Sequence, residues 1–207
     1  MIRDLLWACP ECGTIDGIVP LKRGEEECQA CGARFRRGAG ATIEATLRDG
    51  TRVARAASEW AAKLPDPESA FVVADRAATA TGLIREADVL VRFASGYRTV
   101  HRGREYLGRI ERLGPRRPGK LRLYPRELEL VGPDDERRAW PLERITAVQP
   151  SSSSLQIKVR NEPVVSFKFV NSSPRLWEEL ICAALRRLYR ERGLGEIIEF
   201  QPRIAVR

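Results

Sequence analysis

Cys9-Pro10-Glu11-Cys12 and Cys28-Gln29-Ala30-Cys31 are separated by fifteen residues near the start of the chain. Two Cys-x-x-Cys pairs at this separation have the spacing of a tetrahedral four-cysteine site. Each pair predicts a tight turn that aims two thiolates at one ion. Gly13 and Gly32 follow directly after the second cysteine of each pair, where the turn needs a residue that tolerates positive φ. Two local disulfides or a redox Cys-x-x-Cys would use the same residues, but matched pairs with matched glycines argue against both. The expected cofactor is one zinc ion held by Cys9, Cys12, Cys28 and Cys31. Iron binds the same spacing, and the sequence does not separate the two metals.

Working outward, Thr14 to Val19 alternates weakly, Pro20 to Gly24 turns, and Glu25-Glu26-Glu27 leads back as a solvated loop. Ala33 to Arg37 alternates with period two and predicts a strand. A module this small buries little apolar surface, so the metal is expected to supply much of its folding free energy. The motif pair Cys-Pro-x-Cys-Gly and Cys-x-x-Cys-Gly resembles a zinc ribbon of the rubredoxin-like kind, over about forty residues. The resemblance implies metal ligation by the four cysteines and no particular activity.

The chain has 207 residues, with 43% hydrophobic and 31% charged, a composition of a folded rather than a disordered protein. No run approaches the roughly eighteen apolar residues of a membrane span, and Met1 to Trp7 lacks a signal peptide's apolar core. Four paired cysteines plus a lone Cys182 in a helical pattern suit a reducing cytosol. The expected location is therefore cytoplasmic, with the inner membrane surface as the place for any peripheral contact.

The formal charge of +8 is unevenly spread. Residues 1–41 carry six charges of each sign, residues 42–105 ten basic and nine acidic, and residues 106–207 twenty basic and thirteen acidic. Four thiolates on a divalent ion are themselves about −2, so a polyanion-seeking surface is expected in the second half.

Gly38 to Ala41 reads as a joint between modules. Thr42 to Leu47 predicts a strand, Asp49-Gly50 a turn, Thr51 to Val53 a return strand, and Ser58 to Leu64 a short helix whose Trp60 anchors the core between modules. Phe71 to Val73 and Val89 to Phe93 are strand-like, with Ser95-Gly96 as a turn and Arg98 to Arg104 as an exposed basic segment. His101 falls there and reads as a surface residue. From Tyr106 the alternation sharpens into about seven antiparallel strands: Tyr106–Leu113, Lys120–Tyr124, Glu127–Val131, Arg137–Leu142, Ile145–Val148, Leu155–Val159 and Val164–Phe169. The period then changes to 3.6. Ser173 caps a helix with Pro174 in its first turn, Leu176, Trp177, Leu180, Ile181, Ala184, Leu185 and Leu188 form one apolar stripe, and Gly193 ends it. Glu196 to Phe200 could add a strand.

The expected fold class is α+β, mostly β: a zinc ribbon (1–41), a linking β-rich region with a short helix (42–105), an antiparallel seven-stranded split barrel capped by a C-terminal helix (106–195), and a tail (196–207). Gly119 to Leu123, Trp140 to Val148, Val165 to Phe169 and Trp177 give the second half a resemblance to pleckstrin-homology-like or GRAM-like domains. Some members of that family bind phosphoinositides around the loop between their first two strands. Here the resemblance implies an anion or phosphate site at Arg112, Arg116, Arg117, Lys120 and Arg122. Lys120 and Arg122 lie two apart on a predicted strand, so they share a face.

No catalytic constellation stands out. There is one His, no Gly-rich phosphate loop and no nucleophile motif. Cys182 reads as a packed thiol. The expectation is a non-catalytic adaptor or scaffold that recognises a protein partner or an anionic membrane. The alternative is a nucleic-acid-binding zinc-ribbon protein. Against it, no aromatic is interleaved with a basic stripe, as base stacking would require.

Overall fold

Among the described residues, thirteen strands and two α-helices build two antiparallel sheets, each over its own core. The structure is a computed structural model that describes residues 1–69, 82–151 and 153–195, with Arg109 described by its backbone alone. The expected strands at Phe71–Val73 and Glu196–Phe200 lie outside the described residues.

The first sheet runs in sequence order: β1 (Ile18–Pro20), β2 (Glu25–Cys28), β3 (Arg34–Arg37), β4 (Thr42–Thr46) and β5 (Arg52–Ala56). Period two places Phe35, Ile43 and Ala45 on one face. There they meet Ile2, Leu6 and Trp60, the last from α1 (Ala57–Ala61). The Trp60 ring is edge-on to Phe35 at 6.0 Å, and its indole N–H donates to the Ile43 carbonyl at 3.0 Å. Trp60 is therefore a core residue of the small sheet rather than a joint between units; Leu64, three residues beyond α1, packs against both cores.

The expected solvated loop at Glu25–Glu27 is strand β2, and Glu26 is buried. Its carboxylate accepts from the amides of Ile2 and Arg3 at 2.6 and 2.8 Å. The physical reason is the 3-10 turn at Ile2–Asp4, whose first amides have no partner of their own and need an acceptor.

The second sheet contains β6 (Arg85–Arg102), β7 (Glu105–Leu113), β8 (Arg117–Leu123), β9 (Glu127–Val131), β10 (Arg137–Pro141), β11 (Ile145–Pro150), β12 (Leu155–Val159) and β13 (Val165–Phe169). Its order is β10-β9-β8-β6-β13-β12-β11, with β7 beside the far half of β6. In place of the expected seven-stranded split barrel there is an open sheet of eight strands. The end strands β10 and β11 are neighbours in sequence but form no ladder. A 3-10 turn at Leu142–Arg144 separates them, and helix α2 (Pro174–Arg192) packs against that turn, β11 and β12. Its apolar stripe fills the space that closure would have used.

Strand β6 also runs through the turn expected at Ser95-Gly96. Its first half pairs with β8 and β13, and its second half pairs with β7 alone, Ala94 lying opposite Leu113 and Arg102 opposite Glu105. The stretch expected to link the two units is divided accordingly: residues 42–56 extend the first sheet and residues 85–102 supply the central strand of the second.

Helix α2 follows its sequence signals. The Ser173 hydroxyl accepts from the Arg175 amide at 3.2 Å, and Gly193 ends the helix in the left-handed conformation. Trp177 is fully buried, stacks on Phe169 at 5.3 Å, and donates to the Ser172 hydroxyl at 3.1 Å. Trp140 is equally buried, edge-on to Phe167, with its N–H on Glu162 at 2.8 Å.

Candidate metal centre

The two cysteine pairs form the same turn twice. The Cys9 amide donates to the Thr14 carbonyl at 3.0 Å, and the Gly13 amide returns to the Cys9 carbonyl at 2.8 Å. The Cys28 amide donates to Ala33, and Gly32 to Cys28, both at 2.8 Å. Gly13 and Gly32 take φ of 75° and 77°, a region that L side chains avoid. These turns leave the sulfur atoms pointing at a common centre.

All four Sγ atoms lie within 4.8 Å of one another. Cys9 and Cys31 are 3.7 Å apart, and Cys12 and Cys28 are 3.6 Å apart. Four ligands at about 2.3 Å from a tetrahedral ion stand about 3.8 Å apart, so the spacing fits. A disulfide would bring two sulfurs to about 2.05 Å, and these cysteines form none. Cys9 and Cys28 are buried, while Cys12 is exposed.

Burial pushes the Cys9 thiol far above its ordinary value, and the knuckle amides only partly offset this. Burial raises Cys31 as well. For Cys12 burial opposes ionisation, yet the hydroxyl and amide of Thr14 bring it down to about 7. Thiolates this close repel, so a full set of four needs a central cation to neutralise it. Four protein sulfurs also fill every position of a tetrahedral ion, leaving none open for substrate; that is the form of a structural site. His101 has no part in it. It stands on β6, its ring edge-on to Tyr106 at 5.6 Å.

The expected anion site is only partly assembled. Lys120 and Arg122 do share a face of β8, but Glu86 on β6 sits between them. Arg122 donates to Glu86 at 2.6 Å and Lys120 at 3.1 Å. Arg122 first, then Lys120, hold the Glu86 carboxyl below its usual range, and Glu86 in turn raises Lys120. Lys120 also pairs with Asp88, and Arg122 with Glu129. Arg112 ends the exposed part of β7, Arg116 lies exposed between β7 and β8, and Arg117 begins β8, also exposed. Two of the five cations are therefore held by carboxylates.

Sequence reading missed the residues that tie the metal module to the large sheet. Trp7 and Ala8, next to Cys9, belong to the larger core. The Asp16 carboxylate, four residues after Cys12, pairs with Arg85 at the start of β6. It also accepts from the Ser172 hydroxyl at 2.8 Å and the Ser173 amide at 3.4 Å, at the start of α2. The signals available were weak: a Trp in a charged N-terminus, and an Asp-Gly dipeptide that reads as an ordinary turn.

No family model and no curated protein matches the chain. Among solved structures, the C-terminal domain of an unknown protein from Leishmania infantum is similar, at 12% identity. The match covers 57% of this chain and 97% of that one with a TM-score of 0.34, a likeness too distant to carry fold or function.

Proposed function

We propose that the protein is a non-catalytic adaptor, in which a zinc ribbon staples the N-terminal unit and a pleckstrin-homology-like unit does the recognising. The observation that carries this reading is the sulfur cluster: four thiols at tetrahedral spacing with no ligand position to spare. Zinc is the favoured ion because it takes four thiolates without redox chemistry. The strand order supports the second part. Counting only β6, β8, β9, β10, β11, β12 and β13 as first to seventh, the sheet runs 4-3-2-1-7-6-5 and is followed by the helix. Strand β7 is then an addition between the first and second strands.

The ligand classes that fit are a protein partner or an anionic membrane surface, met through Arg112, Arg116 and Arg117, the predicted cations not tied to Glu86. Elemental analysis and the visible spectrum test the metal. One zinc per chain and a colourless protein are expected; a thiolate-to-iron absorption band would replace zinc with iron, and no metal in reduced protein would sink the reading. Flotation with phosphatidylserine vesicles tests the membrane arm, with Arg116→Ala/Arg117→Ala as the variant expected to stay behind. The alternative, a nucleic-acid-binding zinc-ribbon protein, is favoured by one observation, the side chains that β6 and β7 bring together.

A further inference from the structure

Beyond Ala94 and Leu113, strands β6 and β7 pair only with each other among the described residues. From Gly96 to Arg102 this ribbon extends about 20 Å at the usual rise per residue. It turns at Gly103-Arg104.

The ribbon carries large apolar side chains in the open. Tyr97 is 53% exposed, Tyr106 55%, Leu107 55% and Ile110 47%. Residues directly opposite in an antiparallel pair share a face. Tyr97 lies opposite Glu111, Thr99 opposite Arg109 and His101 opposite Tyr106, so Tyr97, His101 and Tyr106 occupy one face. Arg98 and Arg102 occupy the other. Arg104 is at the tip and Arg112 near the base. Residues 96–112 hold five arginines against two glutamates. Arg98, Arg102, Arg104 and Arg112 are all exposed. None of them forms an ion pair with a described residue, whereas Lys120, Arg122, Arg138 and Arg175 on the body of the protein are each held by a carboxylate.

We infer that this arm is a binding element for single-stranded nucleic acid, with Tyr97, His101 and Tyr106 as the stacking face and Arg98, Arg102 and Arg104 as the phosphate contacts. Rings laid out along one face of an exposed ribbon, with arginines on its other face and at its tip that form no ion pair with a described residue, match the two things an unpaired strand offers: a π-face at each base and a charge at each phosphate. Tyr97 and Arg98, and His101 and Arg102, are neighbours in the sequence; pairing β6 with β7 brings Tyr106 beside His101. A bilayer suits the arm less well. Its tip is Arg102-Gly103-Arg104-Glu105, and charged side chains there oppose entry into hydrocarbon tip-first. This inference does not depend on the metal or the adaptor reading, since it uses neither the cysteines nor Arg116 and Arg117.

The test is fluorescence anisotropy with labelled oligo(U) and oligo(dT) of about 16 nucleotides, a duplex of the same length, and phosphatidylserine–phosphatidylcholine vesicles, on the full chain. Binding to the single strands is expected, weakening as salt rises. Tyr97→Ala/Tyr106→Ala should weaken it about tenfold or more at unchanged salt slope. Arg98→Ala/Arg102→Ala/Arg104→Ala should lower the slope of log K against log salt by about two. All five positions are exposed, so an unchanged far-ultraviolet spectrum and urea midpoint would confirm folding; a Tyr97→Phe/Tyr106→Phe variant that retains binding guards against a local collapse. No binding at low salt, tighter binding to the duplex, binding indifferent to both variants, or uptake by vesicles in place of the oligonucleotides would overturn the inference. So would a dimer that only the tyrosine variant disrupts.

Discussion

Asp16→Asn isolates the contact that joins the metal module to the large sheet. Asp16 sits at φ 50°, a region Asn tolerates nearly as well as Asp, so the change removes a charge and little else. The carboxylate pairs with Arg85, and the side chains are 16% and 31% exposed. It also accepts from the Ser172 hydroxyl at 2.8 Å and the Ser173 amide at 3.4 Å. Ser172 in turn accepts from the buried indole N–H of Trp177 at 3.1 Å. Hydrogen bonds to a charged group contribute about 1.5–3 kcal/mol. The ion pair adds less than a fully buried one, because solvent reaches Arg85. In the Asp16→Asn variant the side-chain amide N–H₂ would replace either Oδ2, which accepts from Arg85 and Ser172, or Oδ1, which accepts from the Ser173 amide, so a donor meets a donor in either orientation. The expected loss is about 2–3 kcal/mol, or about 5–10 °C in Tm for a chain of this size. Urea unfolding of the metal-loaded protein, followed by tryptophan fluorescence, measures it. A cycle with Arg85→Met should show a coupling of about 1 kcal/mol or more. A loss below about 0.5 kcal/mol, the range of an ordinary surface substitution, would refute the idea that this carboxylate ties the two units together.

Metal removal should reach further than the small sheet. Trp7 and Ala8 flank Cys9 yet lie in the large core, so Cys12→Ser or chelation should also lower the unfolding midpoint of the second sheet; an unchanged exchange rate for the β12 and β13 amides would contradict this. Trp177→Ala should cost about 3–5 kcal/mol, since the ring is fully buried against Phe169; a cost under about 1 kcal/mol would mean that the ring does not pack the core. For pH, burial alone would raise the Glu162 carboxyl, but hydrogen bonds from Trp140 and Arg138 outweigh it and hold the group below its ordinary 4.5. The unfolded chain therefore takes up this proton first. The contribution of Glu162 is fully present above about pH 4.5 and is lost as pH falls through the lower folded value. The stability gap between wild type and Glu162→Gln should accordingly shrink below pH 4.5, and a gap that stays constant to pH 3 would show the carboxylate is not stabilised in the folded state.

Local spacing made a good part of the structure legible. Two matched Cys-x-x-Cys-Gly runs dictate two matched turns, because the hydrogen bonds that close each turn join residues only four or five apart. Period-two alternation gave β9, β12 and β13, and the 3.6 period with Ser173 and Gly193 gave α2, because those patterns are set by the geometry of a single element. What escaped were pairings between distant residues. The charge of Lys120 and Arg122 could be read from the sequence, but not that Glu86, more than thirty positions earlier, would lie beside them in the neighbouring strand. Glu26 looked solvated because nothing near it in sequence announces the two amides at Ile2 and Arg3. Arg98 and Arg102 read only as part of an exposed basic segment, because the ribbon exists only once β7 returns along β6. Spacing fixes what a few consecutive residues can do, and the four-sulfur cluster needed little more. Partners drawn from far along the chain are chosen when the sheets assemble, so the neutralised cations, the Asp16 bridge and the projecting arm belong to the tertiary structure alone.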